Sequence, residues 1–376
     1  MATDPTEASP PDHPIRLVVL FGGRSAEHDV SCVTARHVLA AADPTRYRIE
    51  PVGITRDGRW VRAHDAAAAL AEGADALPDA LAATGEEVDP LPALAAGGAA
   101  TPVDGDGTDR VVVLPLLHGP MGEDGTVQGL LELADVPYVG CGVLASAVAM
   151  DKGAAKELLA ANGIPQARWA SLHADEVDDA RLMAVADHLG LPAFVKPANM
   201  GSSIGVARVE DLESLRRAVD DALTYDEWLV VEEAVVGREL ECGVLGTATA
   251  PRASLPGEVE PGAAFYDYED KYHRGVAKLL IPAPLPDDVV AEIQHLSRQA
   301  FRALRADGMA RVDFFYEEDG RGLLLNEVNT IPGFTPISMY PRMWEATGVP
   351  YPALIDQLVD LALARHARRR RRTDVG

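Results

Sequence analysis

RVDFFYEEDGRGLLLNEVN, residues 311–329, decides how this chain is read. Two runs rich in apolar residues flank an Asp-Gly turn, the pattern of a β-hairpin. A three-residue loop, Asp319-Gly320-Arg321, sets position 313 opposite 327 and 311 opposite 329. Side chains alternate across a strand with period two. Arg311, Asp313, Glu327 and Asn329 then share one face. Two carboxylates and an amide oxygen held together make an oxygen-only site suited to a hard cation such as Mg²⁺. The plainer alternative, a solvated polar edge, fits poorly because apolar residues surround the cluster.

A second stretch, VKPANMGSSIG (195–205), places Lys196 at the end of a strand and follows it with Gly201, two serines and Gly205. Glycines let backbone N–H groups approach phosphate oxygens, and serines add hydroxyl donors. The functional reading is an anion-holding lid; the alternative is an ordinary hairpin turn. Lysine is scarce: five residues (Lys152, Lys156, Lys196, Lys271 and Lys278) against 29 arginines. A lysine kept in such a chain is informative, although Lys156 and Lys278 read as surface residues.

Working outward, residues 15–21 form a strand that enters Gly22-Gly23 and then a helix over 30–42, the start of a βαβ unit. A second unit has a strand at 111–117, the loop HGPMGEDG and a helix over 126–134. Between them, 61–110 is rich in Ala, Gly, Asp and Pro and reads as a helical or loop insertion. Asp151 is a good N-cap for the helix KGAAKELLAAN, which Gly163 and Pro165 end. Short strands at 194–196 and 229–233 follow. The region from 239 onward holds hairpin-like strands and a helix over 353–364.

The length of 376 residues allows two or three domains. Hydrophobic residues at 47% and charged residues at 24% exclude a largely disordered chain. No stretch approaches the roughly 18 apolar residues of a membrane span, and the first 13 residues read as a lead-in without the marks of a secretion signal. A cytoplasmic location is expected. Cys32, Cys141 and Cys242 are too dispersed for a disulfide framework or a zinc ribbon. The net charge is −24, and it becomes −30 without the arginines at 365 and 368–372. So acidic a body repels nucleic acid, and the basic end reads as a solvated tail. The chain has no Gly-Lys pair, which excludes a Walker A loop. Gly140-Cys-Gly142-Val-Leu-Ala145 is a weak dinucleotide pattern with no acidic residue suitably placed after it. DGDGTD from Asp104 starts like an EF-hand, but Pro115 stands where the bidentate Glu belongs. No HExxH helix occurs.

Taken together, LFGGRSAEHDVS, LHGPMGEDG, MDK, VKPANMGSSIG, VEEAVVGRELE, AFYDYEDKY, RVDFF and LNEVNTIPGFTPISMYP resemble the ATP-grasp superfamily, and within it the D-alanine–D-alanine ligase family. The resemblance runs from about residue 15 to 360. It implies an α/β, three-domain ATP-grasp architecture with an N-terminal Rossmann-like (preATP-grasp) domain: 14–147, 148–235 and 236–364, with a basic tail over 365–376. It implies ATP-dependent joining of two D-alanine molecules through an acyl phosphate, for peptidoglycan precursors. Another ATP-grasp carboxylate–amine ligase, or a D-alanine–D-lactate ligase, is the alternative, and a catalytically dead nucleotide-binding regulator a remote one. By the same resemblance, Asp313, Glu327 and Asn329 hold two Mg²⁺ ions (Mn²⁺ as a substitute), with K⁺ activation left open. Lys152, Lys196 and Lys271 hold the nucleotide, together with Ser202 in the lid. Glu232, Glu233, Val235 and Glu239 line adenine and ribose, although relatives often carry lysine where Glu233 stands. Glu27 takes the first D-alanine's ammonium beside His118, and Ser202 and Tyr272 bond to Glu27 across the closed lid. Arg311 and the Gly333 N–H form the oxyanion site, and Ser338 and the Met339 backbone grip the second carboxylate. A homodimer, with neither nucleic acid nor membrane as partner, completes the expectation.

Overall fold

The computed structural model describes residues 14–94, 110–260 and 278–369. The elements in chain order are β1 (Ile15–Gly22), α1 (His28–Ala41), β2 (Tyr47–Ile54), β3 (Trp60–Arg62), α2 (His64–Glu72), β4 (Glu86–Glu87), α3 (Pro90–Leu94), β5 (Val111–Pro115), α4 (Thr126–Leu133), α5 (Val143–Met150) and α6 (Lys152–Ala161). Then come β6 (Trp169–His173), α7 (Asp179–Leu189), β7 (Ala193–Pro197), β8 (Ala207–Val209), α8 (Leu212–Ala222) and β9 (Trp228–Glu233). The last part holds β10 (Arg238–Thr247), β11 (Ala250–Ala253), β12 (Gly257–Glu260), β13 (Lys278–Leu280), α9 (Asp287–Ala303), β14 (Gly308–Glu317), β15 (Gly322–Asn329), α10 (Met339–Ala346) and α11 (Tyr351–Arg369).

The first sheet has the order β4-β3-β2-β1-β5, parallel across β2-β1-β5. Every residue of β1 is buried, as expected for a parallel strand covered on both faces. At its end Gly22 has φ +87, and a Cβ there would lie 2.3 Å from the Ile54 carbonyl oxygen, so only glycine fits. The Gly22 N–H donates to Ser31 Oγ (2.8 Å), which in turn donates to the Leu116 carbonyl (2.5 Å). This chain of bonds fixes the 23–27 loop against the end of β5. The region expected as a helical or loop insertion contributes two strands as well: β3 and β4 extend the sheet antiparallel beyond β2. Their short length and alanine-rich flanks hide them from a periodicity argument. The EF-hand-like segment lies outside the described residues.

The second sheet, β6-β9-β7-β8, is antiparallel and covered by α7 and α8. Asp178 and Asp211 cap those helices, accepting from the Arg181 and Ser214 N–H groups at 2.7 Å. The third sheet, β13-β12-β10-β14-β15 with β11 on β10, packs on α5 and α9. Asp151 caps α6 as expected, accepting from the Ala154 N–H at 2.9 Å.

The basic end departs from the reading as a tail from residue 365. Helix α11 continues to Arg369, and Arg365 is only 3% exposed. Its guanidinium donates to the Gly140 carbonyl and, at 2.9 Å, to the Tyr138 carbonyl, and it stacks 4.0 Å over the Tyr138 ring. Burial pulls its pKa down from the usual arginine value. Arg368 pairs with Asp307 and Arg369 with Glu132. One apolar cluster runs from β1 and α1 to Trp344, Leu354, Ile355 and Leu358 of α10 and α11, so the first and last parts of the chain share a core.

Candidate active site

Strands β14 and β15 pair with Arg311 opposite Asn329 and Asp313 opposite Glu327, as expected. The route differs from the expectation. The strands end at Glu317 and Gly322, so the turn has four residues, and a bulge beside Asp313–Phe314 leaves Asn326 as the extra residue on β15. The bulge restores the register that the longer turn had shifted. All four side chains meet. Arg311 forks onto Asp313, with Nε to Oδ1 and Nη2 to Oδ2 both at 2.7 Å. The Asn329 amide lies 2.9 Å from Asp313 Oδ2 and 3.5 Å from Glu327 Oε1. Glu241, not foreseen from the sequence, stands across from Asp313 on β10, with Oε2 3.0 Å from Arg311 Nε. Burial disfavours the guanidinium charge, but Asp313, Glu241 and Glu327 outweigh it and raise the Arg311 pKa well above its usual value.

Whether this face fits a divalent cation follows from its donors. Among the described residues no trio of His, Cys, Asp or Glu is placed to hold a metal. The face supplies two carboxylates and one amide, all with oxygen donors, which suits Mg²⁺ when phosphate oxygens complete the shell. Glu241 gives Arg311 a second carboxylate partner, so Asp313 can turn toward a cation without leaving the guanidinium unpaired.

A second group forms where the 23–27 loop, the 118–125 loop and the 199–205 loop converge. Ser202 Oγ donates to Glu27 Oε1 at 2.5 Å across 175 residues. Two glycines make room for that carboxylate. A Cβ on Gly119 would lie 2.9 Å, and one on Gly201 3.1 Å, from Glu27 Oε2. Ser202 and Ser203 hold positive φ, +50 and +58. Ser25 Oγ donates to the His118 carbonyl at 2.7 Å and receives the Glu27 N–H at 3.2 Å. His118 is buried, and its Nδ1 meets the Ile331 carbonyl at 3.1 Å. That bond puts the proton on Nδ1 and leaves Nε2, which has no partner among the described residues, as an acceptor. Burial lowers the His118 pKa, with Glu27 opposing, so the ring is neutral near pH 7. Glu123 was also missed. It accepts from the Gly119 N–H at 2.7 Å, and burial with the Glu27 charge pushes its pKa up to about 8.

The third group lines the meeting of α6, β7 and β9. Lys152 Nζ donates to the Met200 carbonyl at 2.6 Å. Lys196 Nζ reaches Glu232 Oε2 at 3.2 Å and Asn326 Oδ1 at 3.5 Å. Lys156 is not the surface residue its composition suggested: it is 2% exposed, with Nζ 3.4 Å from Glu232 Oε1. Burial lowers the pKa of Lys152 and of Lys156. For Glu232 burial acts upward, but the lysines prevail and lower it. Lys278 is exposed, paired with Glu260. The Glu233 carboxylate is taken up by Arg168 (Nε 2.7 Å) and by Arg321, so it faces arginines rather than open space. Val235, in the β9–β10 connection, and Glu239, on β10, are half-buried. Gly333 lies against Ser338, a Cβ there falling 3.3 Å from Ser338 Oγ, and Ser338 is the N-cap of α10, with Met339 its first residue. Lys271 and Tyr272 lie outside the described residues.

Comparison with known proteins follows the same outline. Residues 16–141 match the family described as D-ala D-ala ligase N-terminus, and residues 158–360 the D-ala D-ala ligase C-terminus. The D-alanine–D-alanine ligase of Kineococcus radiotolerans is 51% identical, over 93% of this chain and 97% of its own. The solved D-alanine–D-alanine ligase of Coxiella burnetii is 37% identical with a TM-score of 0.78, covering 94% of this chain and 95% of its own. The Bacillus anthracis ligase, solved in complex with ATP, is 25% identical with a TM-score of 0.69, over 94% and 99% of the two chains.

Proposed function

The chain belongs to the D-alanine–D-alanine ligase family, and on that premise we propose how its own residues perform the reaction. It is an ATP-dependent ligase that joins two D-alanine molecules for peptidoglycan precursors. The observation that carries this reading is the convergence of the hairpin face and the Glu27 junction: His118, beside Glu27, bonds to Ile331 just beyond β15.

Glu27 takes the ammonium of the first D-alanine, its carboxylate held by Ser202, while the neutral His118 offers Nε2 as a further acceptor. Lys152 and Lys196 hold ATP phosphates, with Lys271 alongside, and Glu232, Val235 and Glu239 border the base and ribose. Glu233 serves there through its backbone. Asp313, Glu327 and Asn329 are the residues that would hold Mg²⁺, which when bound offsets phosphate charge. The first D-alanine carboxylate attacks the γ-phosphorus, the bond to the ADP oxygen breaks, and an acyl phosphate forms. Ser338 and the Met339 N–H, at the start of α10, hold the second D-alanine's carboxylate, where unpaired helix N–H groups favour an anion. Its free amine attacks the acyl carbon. Arg311 and the Gly333 N–H meet the oxyanion that exists only at that stage. Collapse breaks the bond to phosphate, which leaves and takes up the proton the nitrogen gives up, and the peptide bond remains.

We read the molecule as a cytoplasmic homodimer; no described helix is long and apolar enough to cross a membrane. The deciding experiment is phosphate release from ATP with D-alanine, L-alanine or D-lactate, the product identified by mass. Release and a dipeptide mass with D-alanine alone are expected. Equal turnover with D-lactate and an ester product would overturn the acceptor.

A further inference from the structure

Lys156 sits on α6 one turn beyond Lys152, and α6 packs against β9. The Glu232 carboxylate lies between two ammonium groups, Oε1 facing Lys156 at 3.4 Å and Oε2 facing Lys196 at 3.2 Å. Both Glu232 and Lys156 are 2% exposed. At 3.4 Å the Lys156–Glu232 contact is a long ion pair, in which both attraction of charge and a side-chain hydrogen bond favour the ammonium. Lys156 is shut off from solvent.

We propose that Lys156 is a positioning residue for ATP that acts through Glu232 on Lys196. By holding Oε1, it keeps Glu232 from turning both oxygens onto Lys196. The Lys196 ammonium then keeps one protein carboxylate contact and has donors left for phosphate. With Lys156 removed, Glu232 is a buried carboxylate with one cation, and it closes on Lys196 with both oxygens because an underpaired buried charge is unfavourable. Lys196 is thereby drawn off the nucleotide. The inference rests on the reading that Lys196 holds ATP phosphate.

The test measures KM for ATP, KM for D-alanine, kcat and thermal melting in the full chain. Lys156→Met is expected to raise the KM for ATP about tenfold, the size of one lost charge contact, while the KM for D-alanine stays within about twofold. Lys156→Arg, which keeps the charge, should restore most of the ATP affinity. In Lys156→Met/Glu232→Gln the lone carboxylate is gone, so the rise should be smaller than the two single changes combined. Should Lys156→Met fail to fold, Lys156→Gln decides, with an expected rise of roughly threefold. A lower melting temperature with an unchanged KM for ATP would make Lys156 a purely structural ion-pair partner and overturn the proposal. Lys196→Met separates the two layers. If it leaves the KM for ATP unchanged, the reading beneath fails; if it raises it while Lys156 variants do not, only this inference fails.

Discussion

The β14–β15 face and the Glu27 junction gather charge in different ways. On the hairpin, four side chains meet because antiparallel register and period two leave them no other place. At the junction, three loops bring together residues as distant as Glu27 and Ser202, and glycines at 119 and 201 supply the space. The strand-built face takes its layout from sheet pairing. The loop-built face depends on backbone conformations that few residue types tolerate. The first therefore depends on register, and the second on the space that glycines leave.

Several changes test that division. The largest loss is expected from Asp313→Asn: kcat for phosphate release falls by about a thousandfold, with the circular dichroism spectrum unchanged. Glu27→Gln should lower kcat/KM for D-alanine by about a hundredfold and leave the KM for ATP alone, the loss expected if Glu27 takes the ammonium as proposed. Gly119→Ala puts a Cβ 2.9 Å from Glu27 Oε2 at φ +74. It should lower kcat/KM for D-alanine by roughly tenfold, since strained positions of this kind cost on the order of 1–3 kcal/mol. An alanine at Gly163, where φ is +71 but nothing lies within 4 Å, should leave kinetics unchanged.

The hairpin was legible because everything it needs is local: an Asp-Gly turn and two alternating runs. Even so, its turn is one residue longer than read, and the bulge at Asn326 cancels the error. The Glu27–Ser202 contact was reached only by resemblance, since no local pattern ties residues 175 positions apart. Lys156 was misread although a signal existed, because it shares a helix face with Lys152 at i, i+4. Arg365 was lost in a basic run, yet it continues the stripe of Leu358 and Ala362 that α11 buries. Glu241 and Glu123 lie inside quoted motifs, VEEAVVGRELE and LHGPMGEDG, but only strand pairing and loop packing show what they touch.

Away from both regions the effects shrink. Arg365→Ala should lower stability by about 1–3 kcal/mol, read as a lower melting temperature, with kcat at 25 °C within about twofold of the parent. Back at the junction, Glu123 makes stability depend on pH. Glu123 holds its proton more tightly when folded, with a pKa pushed up to about 8 against an ordinary 4.5. Stability therefore falls as pH rises between those values and the loss is complete above the higher one. Glu123→Gln should flatten the melting temperature across that window and exceed the parent's above pH 8.

The most direct measurement is calorimetric titration of ADP into the parent and Asp313→Asn, each with and without Mg²⁺. The account predicts that Mg²⁺ tightens ADP binding in the parent and that the variant loses this gain while still binding ADP alone. Equal tightening by Mg²⁺ in both proteins would contradict it.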